Sequence, residues 1–218
     1  MSPCGAQEPT GKAGTNVHIA LTFDDGPNTE ITPRVLDILE ENGIRASFFL
    51  IADAITPESA KVARRAWEMG CEINNHSKTH DFMDKMVPET IREEIAYCTE
   101  KIVEITGVSP RFFRPPYIAV NQTLYDNVDL TFICGVGCED WVPQVTAWQR
   151  IDRILASARD GDILLLHDMP GNENTVEAIR TVIPELKKRG FEFVTCGELF
   201  ARKGVTPERG KIYSNVWD

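Results

Sequence analysis

The feature of this sequence that most constrains its fold is a repeated alternation of short apolar runs with amphipathic stretches. The apolar runs are bounded by glycine and polar residues and predict buried β-strands. The stretches between them have the periodicity of helices, and glycines at positions 43, 70, 107 and 190 stand where they can cap a helix end. Strands alternating with helices predict a parallel sheet with crossover helices, so the fold class is α/β.

Acidic, histidine and arginine side chains that can take part in catalysis or metal binding follow several different predicted strands. This distribution favours a barrel over an open sheet. The predicted strands cover residues 17–23, 45–51, 72–74, 112–114, 130–135, 162–167 and 191–195. The predicted helices cover residues 32–41, 57–69, 88–106, 146–158 and 176–189. Barrel sites are assembled from strand ends at one face, so we expect a distorted or incomplete (β/α) barrel of about seven parallel strands.

The bulk properties limit the partners. We expect a flexible arm over residues 1–15 and one domain over residues 16–218, without a signal peptide or a membrane span. A net charge of -10 argues against nucleic acid or an anionic membrane as a partner, because both require clustered cations. The six cysteines are scattered and define neither a zinc motif nor a disulfide framework.

Two adjacent carboxylates, Asp24 and Asp25, stand at the end of the first predicted strand, before a Gly-Pro turn. The backbone bends at a strand end, so one carboxylate can bind a metal while the other takes a proton from water. The alternative is an ordinary turn or helix cap, where Asp is common. The choice depends on whether the chain supplies further metal ligands.

Two of the four histidines, His76 and His80, are separated by three residues. This spacing predicts that both imidazoles lie on one face of a helical turn. With one aspartate they form a ligand set that leaves positions open for water and substrate, as catalytic metals require. Such a histidine pair alone is more often a surface feature, but its occurrence with Asp24 and Asp25 favours the metal site.

Three other segments carry polar groups at predicted strand ends. Arg114 precedes a rigid double-proline corner, where a guanidinium can orient a carboxylate. Asp140 stands beside the large ring of Trp141, and His167 ends an apolar strand. By strand alternation Leu165 shares the face of His167. A surface arginine, a core histidine and a packed tryptophan are the corresponding alternatives.

In chain order, the segments TFDDGP, HSKTH, RFFRPPY, DW and LLLHD resemble the five motifs of the polysaccharide deacetylase family, also called carbohydrate esterase family four. Five ordered matches over nearly the whole chain are specific. The family fold is a distorted (β/α) barrel, in agreement with the element order. Residues 127–141 and 189–217 look most like the bacterial acetylxylan esterase branch.

The resemblance implies that Asp25, His76 and His80 bind one divalent metal ion. Zinc is the first expectation for this ligand set, and cobalt, nickel, manganese and iron are alternatives.

The resemblance also implies the catalytic roles. Asp24 is the general base that activates water, and Arg114 holds it in place. His167 is the general acid, and Asp140 fixes its tautomer and favours the imidazolium. The backbone N–H of Tyr117 joins the metal as the oxyanion site.

Trp141 and Leu165 are expected to wall a small apolar pocket sized for an acetyl methyl group. The sequence departs from the usual family pattern at Ile118, where a glycine commonly follows RPPY, and at Gly137, which replaces the first acid of DxxDW. Both departures concern the substrate more than the chemistry.

The leading hypothesis is therefore a metal-dependent hydrolase that removes acetyl groups from a polysaccharide, with O-acetyl xylan as the first substrate. The alternative within the same chemistry is N-deacetylation of N-acetylglucosamine in chitin oligomers or peptidoglycan. A catalytically inactive carbohydrate-binding module is the alternative from another class. The family implies an extracellular, secreted location and the possibility of other modules in a larger enzyme.

Overall fold

The computed structural model describes residues 17–218, so the predicted arm over residues 1–15 lies outside the described residues. The described chain alternates strands and helices. The strands are β1 (Val17–Asp24), β2 (Ser47–Leu50), β3 (Glu72–Asn75), β4 (Phe112–Phe113), β5 (Thr131–Ile133), β6 (Val136–Gly137), β7 (Ile163–His167), β8 (Phe191–Val194) and β9 (Ile212–Tyr213). The helices are α1 (Ile31–Glu41), α2 (Pro57–Glu68), α3 (Pro88–Thr106), α4 (Gln122–Asn127), α5 (Ala147–Ser157), α6 (Glu173–Lys188) and α7 (Cys196–Lys203).

Strand β1 is the centre of one parallel sheet with the order β6-β7-β1-β2-β3-β4-β5-β9. The first half of β1, Val17 to Ala20, also pairs with β8. After Val17, every residue of β1 is buried, as expected for a parallel strand covered on both faces. The prediction of a parallel α/β fold is therefore confirmed.

The ring of strands closes only in part. After β9 the chain turns to the start of β7, where Ile163 N donates to Ser214 O at 3.0 Å and Val216 N donates to Gly161 O at 3.0 Å. Asp162 and Asn215 form an isolated antiparallel bridge between the same segments. We call this junction the seam. It makes the structure the distorted, incomplete barrel that the sequence predicts.

Strand alternation divides the apolar residues into an outer and an inner layer. Ile19, Leu21 and Phe23 of β1 belong to the large cluster that packs the sheet against the helices. Ala20 belongs to a second cluster, together with Phe49 of β2 and other residues of facing strands. Because side chains alternate along a strand, Asp24 lies on the same face as Ala20 at the carboxyl end of β1.

Helix boundaries follow local capping chemistry. Thr56, Thr146 and Thr195 each form a capping box at the start of α2, α5 and α7. The five predicted helices are confirmed, although α6 begins at Glu173, about one turn earlier than predicted. Sequence patterns missed the short elements α4, α7, β6 and β9.

Two negative findings concern the described residues alone. None of the helices within residues 17–218 is both long and apolar enough to cross a membrane. Cys71, Cys98, Cys134, Cys138 and Cys196 are all free thiols. Burial raises the pKa of Cys98 and of Cys196 to about 12, so these two remain protonated at neutral pH.

Candidate active site

The three predicted metal ligands lie together at the carboxyl edge of the barrel. Oδ1 of Asp25 lies 3.4 Å from Nε2 of His76 and 3.4 Å from Nε2 of His80. One potential ligand atom from each residue lies within 4.8 Å of the others. Asp25 Oδ1 is buried and lacks a hydrogen-bond partner among the described residues. Two nitrogens and an orphaned carboxylate oxygen that converge in this way fit a divalent metal ion.

The surroundings of the cluster favour the protonation states that metal ligands need. His76 Nδ1 donates to the backbone carbonyl of Arg114 at 2.6 Å, which leaves Nε2 free to face Asp25. Burial, reinforced by the charge of His76, lowers the pKa of His80. Burial opposes ionisation of Asp25, but the neighbouring His76, His167 and His80 side chains outweigh it and lower the pKa of this carboxyl group.

Residues 76–80 form an irregular loop, so the prediction of a helical turn was wrong. Strand β3 ends at Asn75, and both Ser77 and His80 have left-handed backbone angles, with φ of 69° and 66°. Right-handed helices require negative φ, so the segment cannot continue as one. The loop still brings the rings of His76 and His80 to a centroid separation of 4.8 Å. The two imidazoles lie close together, as predicted, but the backbone between them follows a different path.

Asp24 and Arg114 form a buried pair beside the ligand cluster. Arg114 Nη1 donates to Asp24 Oδ1 at 2.5 Å, and the two side chains are 0% and 2% exposed. The guanidinium carbon of Arg114 lies 4.2 Å from the ring centroid of Phe49. Asp24 Oδ2 lies 3.7 Å from His76 Nε2, so one carboxylate oxygen is held while the other faces the cluster. The structure thus provides the contact that the sequence predicts between Arg114 and Asp24.

His167 and Asp140 form a second charged pair. His167 Nδ1 lies 2.8 Å from Asp140 Oδ1, and His167 N donates to Asp140 Oδ2 at 2.7 Å. Burial opposes protonation of the ring, but the hydrogen bond and charge of Asp140, with the charges of Asp24 and Asp25, raise the pKa of His167 to about 9. His167 is therefore protonated at neutral pH, and its Nε2 carries a proton that it can donate.

Sequence reasoning missed the residues that hold Asp140. Thr175 Oγ1 donates to Asp140 Oδ2 at 2.8 Å, and Asn172 Nδ2 donates to the same oxygen at 3.4 Å. The buried Arg150 of α5 in turn donates to Asn172 Oδ1 at 2.6 Å and Thr175 Oγ1 at 2.7 Å. This network fixes Asp140 Oδ2, the oxygen that also accepts the backbone N–H of His167.

Asp168 is a further buried acid that the motif analysis left without a role. It accepts a hydrogen bond from Thr32 Oγ1 at 2.5 Å, while its Oδ1 has no partner among the described residues. A Cβ at Gly26 would lie 2.7 Å from Asp168 Oδ2, so this carboxyl group lies directly behind the turn that carries Asp25. Burial raises the pKa of Asp168 to about 7.

A cavity of about 360 Å³ lies between the ligand cluster and His167. Its apolar lining is formed by Pro115, Tyr117, Ile118, Trp141 and Leu165. The ring of Trp141 lies 5.5 Å from that of His167 in an edge contact. The structure thus places Trp141 and Leu165 on the cavity wall, as the sequence predicts.

Tyr117 has an unusual conformation and a neighbour that the sequence did not reveal. Tyr117 and Ile118 both have left-handed backbone angles, with φ of 58° and 55°, which is uncommon for non-glycine residues and least favourable for a β-branched one. The half-exposed ring of Tyr117 stacks on Phe82 at a centroid distance of 4.0 Å, and Lys85 Nζ covers the Phe82 ring at 4.0 Å. These contacts anchor Tyr117 at the cavity rim.

Comparison with known proteins agrees with this geometry. Residues 11–132 match the polysaccharide deacetylase family. A bifunctional xylanase/deacetylase of Pseudobutyrivibrio xylanivorans is 47% identical over 97% of this chain and 36% of that protein. A peptidoglycan-N-acetylglucosamine deacetylase of Listeria monocytogenes is 35% identical over 88% of this chain and 41% of that protein. The chain thus spans less than half the length of these two curated relatives.

The fold is also similar to that of solved structures. A family 4 acetyl xylan esterase from Clostridium thermocellum, determined with a cobalt ion, is 42% identical and has a TM-score of 0.89. The alignment covers 91% of this chain and 98% of that one. With the family match over more than half of the sequence, these likenesses show that the chain belongs to the polysaccharide deacetylase family.

Proposed function

We propose that this chain is a metal-dependent hydrolase that removes O-acetyl groups from xylan. The observation that carries the proposal is the cavity itself, which has the Asp25, His76 and His80 cluster on one wall and the protonated His167 among its other lining residues. The similarity to the Pseudobutyrivibrio and Clostridium proteins, whose names refer to xylan, supports this substrate.

Asp25, His76 and His80 would hold the metal ion. A divalent ion at this place would polarise the acetyl carbonyl and make a nearby water more acidic. The two nitrogen ligands and one oxygen ligand suit zinc, and cobalt, nickel, manganese and iron also accept such a set. The cobalt ion in the Clostridium relative supports a transition metal.

Asp24 would take the proton from the attacking water. Its Oδ1 is held by Arg114, so the proton is accepted at Oδ2, the oxygen that faces the ligand cluster. The bond to Arg114 limits rotation of the carboxylate and keeps Oδ2 directed at the reacting water. Arg114 acts in this scheme as a positioning residue.

His167 would donate a proton to the departing sugar oxygen. Its Nδ1 is occupied by Asp140, so the available proton is on Nε2. The backbone N–H of Tyr117 would donate to the oxyanion that forms from the carbonyl oxygen. Trp141 and Leu165 would enclose the acetyl methyl group in the apolar part of the cavity.

Acetate release tests this proposal. Metal-loaded protein is incubated with acetylated xylan and with a chitin oligomer, and the Asp24→Asn variant serves as the control. We expect release from xylan that stops in the variant and after chelation. Release from neither substrate, or full activity of the stripped protein, would contradict the proposal; binding to the polymers without release would favour a carbohydrate-binding module.

N-deacetylation of N-acetylglucosamine is the second candidate, because the chain is 35% identical to the Listeria peptidoglycan deacetylase over 88% of its length. The same residues would act, with an amide nitrogen as the group that His167 protonates. Release of acetate from the chitin oligomer or from peptidoglycan, with silence on xylan, would favour this alternative.

We further propose that the protein acts outside the cell, as one module of a larger secreted enzyme. Polymeric xylan is an extracellular substrate, and the Pseudobutyrivibrio relative combines a xylanase with a deacetylase in a protein of which this chain covers 36%. Detection of the polypeptide in culture medium tests the extracellular location. A mass well above the 24.4 kDa of this chain would show that it is one module of a larger enzyme.

A further inference from the structure

A buried carboxylate on α3 holds the loop that carries both histidines of the ligand cluster. Glu94 is 6% exposed, and its Oε2 accepts three hydrogen bonds from this loop. The donors are Lys78 N at 3.0 Å, Thr79 N at 2.9 Å and Thr79 Oγ1 at 3.1 Å. Burying a carboxyl group costs free energy unless donors satisfy its oxygens, and the donors that satisfy Glu94 Oε2 all belong to this loop.

The loop needs an anchor because its own backbone is strained. Ser77 and His80, on either side of Lys78 and Thr79, both have left-handed angles that non-glycine residues rarely adopt. Strained residues persist only where surrounding contacts impose them. The bonds to Glu94 fall between the two strained residues, where they oppose relaxation of the turn.

We propose that Glu94 is a positioning residue, which places His80 within reach of Asp25 and His76 by fixing the backbone of Lys78 and Thr79. The inference rests on the metal centre proposed above and adds a residue that touches neither metal nor substrate. His80 N donates to Ser77 Oγ at 3.0 Å, so His80 is tied to the start of the loop as well. Ala52 N and Asp53 N still donate to the carbonyls of Ser77 and Lys78 when Glu94 is replaced. The amides of Lys78 and Thr79 lose their acceptor, however, so the turn toward His80 relaxes and the convergence of the three ligand atoms weakens.

Binding of Co²⁺ to the metal-free protein, followed by its visible absorption, tests this inference without measuring activity. The variants are Glu94→Gln and Glu94→Ala, and the matched control is Glu93→Gln, an exposed acid one position earlier on the same helix. We expect wild-type binding by the control. Glu94→Ala should bind Co²⁺ about 10-fold or more weakly with an altered absorption band, because supporting residues of metal ligands have effects of this size. Glu94→Gln should fall between the two, since its amide oxygen still accepts hydrogen bonds but carries no charge.

Thermal unfolding of the metal-free variants separates positioning from general stability. If Glu94→Gln and Glu94→Ala melt at lower temperature but bind Co²⁺ with wild-type affinity and spectrum, Glu94 only stabilises the fold and the inference is overturned. If Glu94→Ala does not fold, the affinity and spectrum of Glu94→Gln decide alone. Failure of the wild-type protein to bind Co²⁺ would instead refute the metal centre itself, and with it the role of Glu94.

Discussion

The metal-ligand cluster and the His167–Asp140 pair contribute imidazoles to one cavity, but the pKa values of His80 and His167 are shifted in opposite directions. Burial, reinforced by the charge of His76, lowers the pKa of His80, so the His80 ring is suited to be a neutral ligand. Nδ1 of His167 binds the carboxylate of Asp140, which raises the pKa of that ring to about 9 despite burial. Burial lowers the pKa of a histidine at this site, and a carboxylate bonded to the ring outweighs that effect in His167.

The largest expected effect comes from Asp24, which lies next to the ligand cluster. Asp24→Asn keeps the shape of the side chain but removes its ability to accept a proton from water. We expect kcat on acetylated xylan to fall by about 10²- to 10⁴-fold, the usual contribution of a general base. Co²⁺ titration of the same variant should give wild-type affinity. An unchanged kcat would exclude Asp24 as the base.

Replacement of His167 should reduce the activity on two kinds of substrate to different extents. His167→Ala removes the proton donor, which an amide leaving group needs far more than an activated phenolate does. We therefore expect the variant to lose much more activity on acetamides than on aryl acetates, measured as kcat/KM for each. Equal losses on the two substrates would show that His167 has a different role.

Asp140→Asn tests the origin of the protonated state of His167. Because His167 must be protonated to act as an acid, wild-type activity should decline as the pH rises through about 9. The variant lacks the carboxylate that raises this pKa, so the alkaline limb should move to lower pH, toward the ordinary value of 6.5. A pH–rate profile of both proteins gives the shift, and coincident alkaline limbs would exclude Asp140 as its cause.

The His167–Asp140 pair should also make the free energy of unfolding depend on pH. A folded-state pKa above the unfolded value means that protonation of His167 stabilises the native state below pH 6.5, and that this stabilisation is lost as the pH rises through about 9. Urea unfolding across this range should show the loss in the wild-type protein and a weaker one in Asp140→Asn. Asp140→Leu is unsuitable as a control because it would leave the Thr175 hydroxyl without the acceptor it has in Asp140 Oδ2.

The smallest expected effect concerns Thr175, whose hydroxyl donates a hydrogen bond to Asp140 Oδ2. Thr175→Val keeps the shape but removes the hydrogen bond to Asp140 Oδ2 and an acceptor of Arg150. Loss of a buried hydrogen bond costs about 1–3 kcal/mol, so urea unfolding should detect it. Activity should fall less than in Asp140→Asn, because the His167–Asp140 bond remains. A loss of activity equal to that of Asp140→Asn would mean that Thr175 does more than support the acid.

Sequence patterns predicted the barrel and the cluster because both depend on local signals. Apolar runs that end in Asp24 or His167 mark strand ends, and parallel strand ends meet at one edge of a barrel. The contacts of Arg150 depend instead on partners 22 and 25 residues away, at the N-cap and in the first turn of α6, and no periodicity encodes such a pairing. Glu94 is similar, since its role depends on how α3 packs under residues 76–80.

Backbone conformation was the other part that the sequence did not reveal. His76 and His80 have the spacing of a helical turn, but the loop reaches the same convergence through left-handed residues that surrounding contacts impose. The elements α4, α7, β6 and β9 were missed because they have only 6, 8, 2 and 2 residues. Hydrophobic periodicity is a clear signal only over windows of about 11 residues or more.

The seam between the chain end and β7 has a dynamic consequence. One edge of β7 is paired with β1 along its whole length, but the other has only Val136, Gly137 and the irregular residues after Tyr213. Segments with few backbone hydrogen bonds open first, so the amides of Ile163 and Val216 should exchange with solvent before that of Leu21. Local opening of the barrel would therefore begin beside β7, the strand that carries His167, while β1, which leads to Asp24 and Asp25, stays closed.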